Sequence, residues 1–457
     1  MKIVWIGGDA DWNQYNSGAA NAEFLYLNYL IKQPEITQID FIDLPFPNPD
    51  THQYPPLIRP MNGIIIHLPR YKIRYKSVFT HLKSRVDFKG RMQLSLLSFI
   101  LWFKFRGEID IAKLEGKKIG TLTASPMYLA IVEPYISQLH RQAADYIKQL
   151  NPDIIHVLME LFAPIAAILK QENDIPNVIC AMEDWERQLA DLVPNSIQYA
   201  AIDSCFDLSK WTGNHLDWFD KICPVSPHIQ NYMARIGYPL SKIQEILPSP
   251  VDLTLIKPVD KIEARKKLGL PLNKRIILTV GRFMERKHYQ DLIEILPSLP
   301  EDVILYMKIS SSSSDITVYK EEKIFKRKLK EKKVANRVII DKRKLKYEEM
   351  KYVYSACDIA VYPFVGEAFG MCAVETIACE KPLILYNSGN FPSFIKENGF
   401  LVEPSDLETL KEKILYLLEN PEIAKEMGKK GKPIAKKFDI KLLGSRLINI
   451  YHELIKK

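Results

Sequence analysis

Short runs of isoleucine, valine and leucine alternate with longer stretches of helical period along most of the chain. In the first half the order is KIVWIGG, NAEFLYLNYLIKQ, QIDFIDL, GIIIHL, KKIGTLTA, DIIHVLM, APIAAILKQEN, NVICAME. Strands that alternate with helices predict an α/β domain around a mainly parallel sheet. The near-continuous apolar character of those strands predicts burial on both faces, as when helices cover each side. A proline-studded stretch, KIQEILPSPVDLTLIKP, then interrupts the pattern, and a second series begins at KRIILTVGRF. It continues through DVILYMKI, NRVIIDKR, EEMKYVYSA, DIAVYPF, AVETIACE, KPLILYN and NGFLVEP. A change of this kind near 240–258 predicts a domain boundary. The expected organisation is therefore a first Rossmann-like domain over 1–245, a second over 246–436, and an amphipathic helix within 437–457.

Composition narrows the picture little, and the distribution of charge narrows it more. The chain has 457 residues, 47% of them hydrophobic, enough for two sizeable cores. Its start, MKIVWIGG, reads as a strand running into glycines rather than a secretion signal, so an uncleaved start at Met1 is expected. Six cysteines occur without CxxC or cysteine–histidine spacing. Neither a zinc site nor a disulfide framework is expected, and a reducing cytoplasm fits. The net charge of +8 is uneven. Arg70, Lys72, Arg74, Lys76, Lys83, Arg85, Lys89 and Arg91 face a single acid, Asp87, and MQLSLLSFILWFKF (Met92 to Phe105) follows directly. That apolar segment is too short to span a bilayer, which needs about 20 residues. It reads as a core helix or, beside the basic run, as an interfacial one. The basic run itself is either a solvated loop or a surface for anionic membrane or acidic substrate. No nucleic-acid-binding module accompanies it, so nucleic acid is not an expected partner. SSSSS (Ser310 to Ser314) reads as a loop, and the charged YKEEKIFKRKLKEKK after it as the wet face of a helix.

Chemistry concentrates in VYPFVGEAFGMCAVETIA. Tyr362 and Pro363 close a strand, Gly366 to Gly370 make a turn, and a helix starts at Met371. Ligands of open α/β sheets bind beyond the carboxyl ends of strands, where helix amides favour anions. Glu367 is expected on the turn and Glu375 inside the helix among Val374, Ile377 and Ala378. A carboxylate among apolar residues requires hydrogen-bond donors, and paired ribose hydroxyls suit it; alternatively Glu375 is an exposed helix position. In TVGRFMERKHYQDLIEIL a strand ends at Gly281, and Arg282 and Lys287 follow at the head of a helix. Two cations and helix amides can neutralise a diphosphate without metal. Gly7 and Gly8 after the first strand permit close approach of backbone to ligand, or simply make a turn; they are not GxGxxG, and no P-loop follows.

GEAFGMCAVETIACEKPLI, VGRFMERKHYQDLI, ICPVSPHIQNYMARIGYPLSKIQEILPSPVDLTLIKP and NGFLVEPSDLETL together resemble the retaining nucleotide-sugar glycosyltransferases of family 4, with their E-x7-E signature and two-Rossmann glycosyltransferase-B (GT-B) fold. The resemblance covers roughly 220–457 well and the first half in outline. It implies two facing doubly wound domains, with the last helix crossing back onto the first. It implies that Glu367 contacts sugar hydroxyls of the donor, that Glu375 holds the ribose, and that Arg282 and Lys287 bind the diphosphate. Amides around Phe369, Gly370 and Met371 would help, and the nucleobase would rest near Asp341 to Arg343. In such enzymes a donor phosphate oxygen is thought to deprotonate the acceptor, so no protein base is nominated. Three positions depart from the family pattern. Glu183-Asp184 stands where histidine-aspartate is frequent, His288 replaces the glycine after the diphosphate lysine, and serines replace a glycine-rich turn after VILYMKI.

The expected function is transfer of a sugar, of hexosyltransferase type, from a nucleoside diphosphate-sugar to a carbohydrate, lipid-linked or other hydroxyl acceptor. Neither cofactor nor metal is expected, and the setting is cytoplasmic, with the basic and apolar insertion near 70–105 drawing the protein to the inner membrane face. The alternatives are a non-catalytic carbohydrate- or nucleotide-binding protein of this fold, a sugar phosphorylase or a sugar-nucleotide epimerase. A nicotinamide dehydrogenase is disfavoured for want of the dinucleotide fingerprint.

Overall fold

The computed structural model describes residues 1–7, 18–43, 58–61, 63–67, 72–74, 108–110, 140–158, 162–181, 218–235, 241, 243, 245–310 and 316–456. Gly8, Glu183-Asp184, the KKIGTLTA run and the apolar segment 92–105 lie outside them, as do residues 311–314 of the serine run and 75–91 of the basic run.

The first sheet contains β1 (Lys2–Gly7), β2 (Gln38–Asp43), β3 (Ile58–Met61), β4 (Ile64–His67), β7 (Ile154–Val157), β8 (Asn177–Ala181) and β9 (Lys221–Pro224). Their order is β3-β4-β2-β1-β7-β8-β9, parallel throughout except for the antiparallel β3–β4 pair at one edge. A separate antiparallel ribbon pairs β5 (Lys72–Arg74) with β6 (Glu108–Asp110), in a register that sets Lys72 opposite Asp110 and Arg74 opposite Glu108. The stretch between these strands, which holds most of the basic and apolar insertion, therefore begins and ends at neighbouring points outside the main sheet.

The second sheet is all parallel: β10 (Arg275–Gly281), β11 (Val303–Ile309), β12 (Val338–Asp341), β13 (Ile359–Tyr362), β14 (Leu383–Tyr386) and β15 (Gly399–Val402), in the order β12-β11-β10-β13-β14-β15. Every residue of β11, β13 and β14 is buried. That is why the pattern reads as apolar runs rather than strict alternation. The charged run after the serines lies on the helix Ile316–Glu331, which buries Phe325 and Leu329 and exposes Lys326 and Arg327. Strand order reverses between β10 and β13. The chain moves outward from β10 to β12 and returns to the other side, so the loops after β10 and β13 diverge and leave a crevice at their carboxyl ends.

The two sheets are joined by two crossings that bond to each other. Val251 N donates to Phe438 O at 2.8 Å and Ile440 N to Val251 O at 2.9 Å. The final helix, Ile440–Ile455, packs against the helix Gly18–Leu30 and β7 of the first sheet. Gly444 makes that approach possible, since a Cβ there would come within 2.3 Å of the Tyr29 ring. Tyr29 OH bonds Ser445 Oγ at 2.9 Å, Arg446 pairs with Glu245 at 2.6 Å, and Lys221 Nζ pairs with Glu453 at 2.8 Å. Tyr451 OH lies 2.8 Å from His156 Nδ1, and the buried His156 ring stacks on Trp5 with centroids 3.6 Å apart. Burial alone holds the His156 imidazole down at about 3, neutral at any ordinary pH.

Candidate active site

The β10 loop and the β13 turn meet through a cluster of charges. β10 ends at Gly281, where a Cβ would come within 2.6 Å of the Tyr289 hydroxyl and 3.6 Å of Lys287 Cε. Glycine there makes room for the Tyr289 hydroxyl, while Lys287 lies at ordinary contact distance under the strand end. The cations do not stand at a helix head as the sequence suggests: Lys287 ends a 3-10 turn, Glu285–Lys287, and the helix Tyr289–Ile295 starts after it. His288 sits between the two at φ +44°, in the left-handed region that favours glycine. That geometry explains why the family pattern has glycine at this place. Arg282 is half-buried, and its charge is felt at the Tyr289 hydroxyl.

Gly366 (φ +67°) and Gly370 (φ +100°) bracket the β13 turn that carries Glu367. The segment after β14 fastens it from outside. Gly389 (φ +60°) lies so close that a Cβ would come within 2.5 Å of the Glu367 backbone. Asn390 N donates to Glu367 O at 2.9 Å, Asn390 Nδ2 to Phe369 O at 3.1 Å, and Gly366 N to Ser388 Oγ at 3.0 Å. Val365 N donates to Arg286 O at 2.8 Å, tying the two loops by backbone. From the other half of the chain, Ser226 Oγ donates to Ala368 O at 2.5 Å while accepting from Ile229 N at the start of the helix Pro227–Arg235.

Glu367 is nine-tenths buried. Its Oε1 accepts from Lys287 Nζ at 2.7 Å and from Arg286 Nη1. Burial pushes this carboxyl up, but the charges and hydrogen bonds of Lys287 and Arg286 outweigh it and hold the group at about 2. Lys287 is pulled below its ordinary value by burial, with Glu367 opposing. Its ammonium also lies 3.9 Å from the centre of the Phe364 ring. Arg286 is the member of this cluster that the sequence reading passes over. Nothing in ERKH separates it from an ordinary solvated cation.

Glu375 is fully buried in the helix Met371–Ala378, so it is not an exposed helix position. Its Oε2 accepts from the Tyr354 hydroxyl, a partner not anticipated from sequence. Glu367 and Glu375 thus have different partners, at the turn and in the helix. Phe369 packs edge-on against Phe394 and Phe438, with centroids 5.4 Å from each, and Met371 is buried beside Gly370. Their side chains build the turn, which leaves the first amides of the helix, having no intrahelical acceptor, as the groups that can meet an anion.

Asp341 ends β12 with its carboxylate occupied. Tyr306 OH donates to it at 2.8 Å, Arg343 N at 2.9 Å and Arg343 Nη2 at 2.7 Å. Despite burial, which pushes it up, the bonds from Arg343 and Tyr306 hold it at about 2. Arg343 also reaches Leu268 O at 3.1 Å. Both side chains thereby shape the 341–343 loop, and Lys308 Nζ fastens its backbone by donating to Arg343 O at 2.5 Å. At Gly7 the room a Cβ would need is taken by the protein itself, with Glu23 Oε1 at 1.8 Å and Phe41 at 3.1 Å. The glycine serves packing over the buried Glu23, whose Oε1 accepts from Trp5 Nε1 at 2.8 Å. Among the described residues no cluster of three or more potential metal ligands occurs, and no helix is long and apolar enough to cross a membrane. Cys223, Cys357, Cys372 and Cys379 are free and buried.

Residues 260–433, which contain both loops, match the profile of the family described as glycosyl transferases group 1. They form a group 1 glycosyl transferase domain. Over 110 residues, 24% of this chain and 31% of the relative, the chain is 36% identical to an uncharacterized glycosyltransferase of Methanocaldococcus jannaschii. It is 29% identical, over 45% of its own length and 55% of the relative's, to the GDP-mannose-dependent monoacylated alpha-(1-6)-phosphatidylinositol monomannoside mannosyltransferase of Corynebacterium glutamicum. These matches span from under a third to just over half the length of the curated relatives. In fold the whole chain is similar to sucrose-phosphate synthase of Thermosynechococcus elongatus, with TM-score 0.71, 19% identity, and 100% and 99% of the two chains covered. The group 1 domain is thus the second half of a GT-B fold.

Proposed function

We propose that this chain is a metal-independent, retaining glycosyltransferase that moves a hexosyl group from a nucleoside diphosphate-sugar to an acceptor hydroxyl. The observation that carries the reading is the buried Glu367–Lys287–Arg286 cluster at the switch point between β10 and β13, beside a helix N-terminus, within the group 1 domain. Lys287, Arg282 and the first amides of the Met371–Ala378 helix are the groups for the diphosphate. As the bond between the sugar's C1 and the phosphate oxygen breaks, negative charge grows on the leaving group. Cations fixed in a poorly screened place stabilise that charge more than they stabilise the ground state. No hydrogen bond to Glu367 Oε2 is made among the described residues, which leaves that oxygen to accept from a donor sugar hydroxyl. Glu375 holds the ribose, with Tyr354 orienting its carboxylate. The acceptor oxygen bonds to C1 and its proton passes to the departing phosphate, which makes a protein base unnecessary.

For the acceptor, we favour a lipid-linked hydroxyl at an anionic membrane face. The support is the basic and apolar composition of residues 70–105, together with the lipid-linked acceptor in the name of the Corynebacterium relative. A thermal-shift panel of nucleoside diphosphates and nucleotide sugars tests the donor assignment. One base is expected to raise the melting temperature by several degrees, with the shift lost in Lys287→Ala, and nucleoside diphosphate release from the matching sugar nucleotide is expected to need an acceptor. Binding without release across a broad acceptor screen would favour the non-catalytic reading.

A further inference from the structure

Three charges meet at one oxygen. Oε1 of Glu367 takes both Lys287 Nζ and Arg286 Nη1, and the three side chains are only 11%, 8% and 16% exposed. In such surroundings charges are weakly screened, and the arrangement must tolerate a second anion if a diphosphate is to enter. A diphosphate brings at least two negative charges toward a carboxylate that is already ionised. Arg282 and the helix amides can meet the phosphate, but if Lys287 turns to it as well, Glu367 goes short of a counter-ion unless another cation holds it.

We infer that Arg286 is a positioning residue, the counter-ion that stays with Glu367. When the diphosphate turns Lys287 toward itself, Arg286 stays on Oε1, so that a carboxylate and a diphosphate share one crevice. This rests on the donor reading given above. The backbone supports the division of labour. The Arg286 carbonyl accepts from Val365 N, two residues before Glu367, so Arg286 is tied to the same turn as the carboxylate it pairs with. The Lys287 ammonium has three donors, one on Glu367, and packs on the Phe364 ring rather than being locked in a planar fork. It can give a donor to phosphate while Arg286 keeps Glu367 ionised and in place.

The test is a double-substitution cycle read by calorimetric affinity for UDP, GDP and ADP. Arg286→Ala is expected to weaken the preferred nucleotide at least tenfold, because the unshielded Glu367 repels it. Adding Glu367→Gln is expected to bring affinity back to within about threefold of Glu367→Gln alone, and Arg286→Lys to recover part of the loss. If Arg286→Ala does not fold, Arg286→Gln replaces it in the cycle. A loss that Glu367→Gln does not relieve means that Arg286 binds the diphosphate itself or is merely structural, and overturns the inference, as does unchanged affinity in Arg286→Ala. If wild type binds no nucleoside diphosphate, the donor reading fails and this inference falls with it. If wild type binds and the two substitutions simply add, this inference fails alone.

Discussion

Glu367→Gln has a cost that depends on pH, and the dependence can be worked out beforehand. The folded protein holds the carboxyl at about 2, against an ordinary value of 4.5. At ~1.4 kcal/mol per pH unit between folded and unfolded values, ionised Glu367 contributes roughly 3 kcal/mol to stability. The sign follows from proton uptake. Below about pH 4.5 the unfolded chain binds a proton that the folded protein refuses until about pH 2, so the contribution is complete above pH 5 and is lost as the pH falls. Glutamine cannot titrate, and it leaves Lys287 and Arg286 without their counter-charge. Urea unfolding of both proteins from pH 7 to pH 3.5 reads the effect directly. Glu367→Gln is expected to be less stable by about 3 kcal/mol at pH 7, and the gap to narrow by more than ~1 kcal/mol at pH 3.5. A gap independent of pH, or none at neutral pH, would show that Lys287 and Arg286 do not hold the carboxylate as the geometry describes.

Other measurements bear on other parts of the molecule. The buried His156 ring, at about 3 against an ordinary 6.5, makes roughly 5 kcal/mol of stability that is present above pH 6.5 and drains away toward pH 3; His156→Phe should flatten the acid limb of the unfolding profile over that range, and an unchanged limb refutes it. His288→Gly relieves a left-handed residue of ~1–2 kcal/mol of strain and gives back about half of it to unfolded-chain entropy, so the midpoint of unfolding should rise slightly. A fall in stability would mean that the His288 contact with Asp291, 3.4 Å away, outweighs the backbone. Replacing the eight basic residues between Arg70 and Arg91 by glutamine should lower binding to phosphatidylserine vesicles in flotation by more than tenfold, since each cation near such a surface is worth about 1 kcal/mol. Equal flotation removes the membrane role.

The local pattern carried the second sheet, the strands β1, β2, β4, β7 and β8 of the first, and the two loops, because each depends on neighbours in sequence; the edge strands β3 and β9 were not read from it. Strands buried on both faces are apolar without a break, and left-handed turns advertise themselves as Gly366 and Gly370. His288 shows the same rule from the other side: the backbone requires a positive φ, and the departure from glycine is visible before any fold is known. What local pattern could not carry was the choice of partners. Tyr354 finds Glu375 across 21 positions, and Ser226 finds Ala368 across 142. Arg286 was hidden among 63 lysines and arginines, because its pairing is decided by where the β13 turn lands. Gly7 misled for a related reason. A glycine at a strand end signals close approach, and only packing reveals that what approaches is Glu23 rather than a ligand.

The bond between the two crossings determines how the sheets can move. Two separate tethers would resist rotation, because turning one sheet against the other would stretch one or the other of them. Here both passages are pinned at Val251, so together they act as a single pivot, and a rotation only twists two short segments at one place. Displacement then grows with the lever arm from that pivot. The Ser226 hydroxyl on Ala368 joins the two halves away from that pivot, so a rotation that parts them there breaks this bond. The turn carrying Glu367 is thus gripped from its own domain by Ser388 and Asn390 at any angle, and from the first half by Ser226 only while the pivot keeps the halves together.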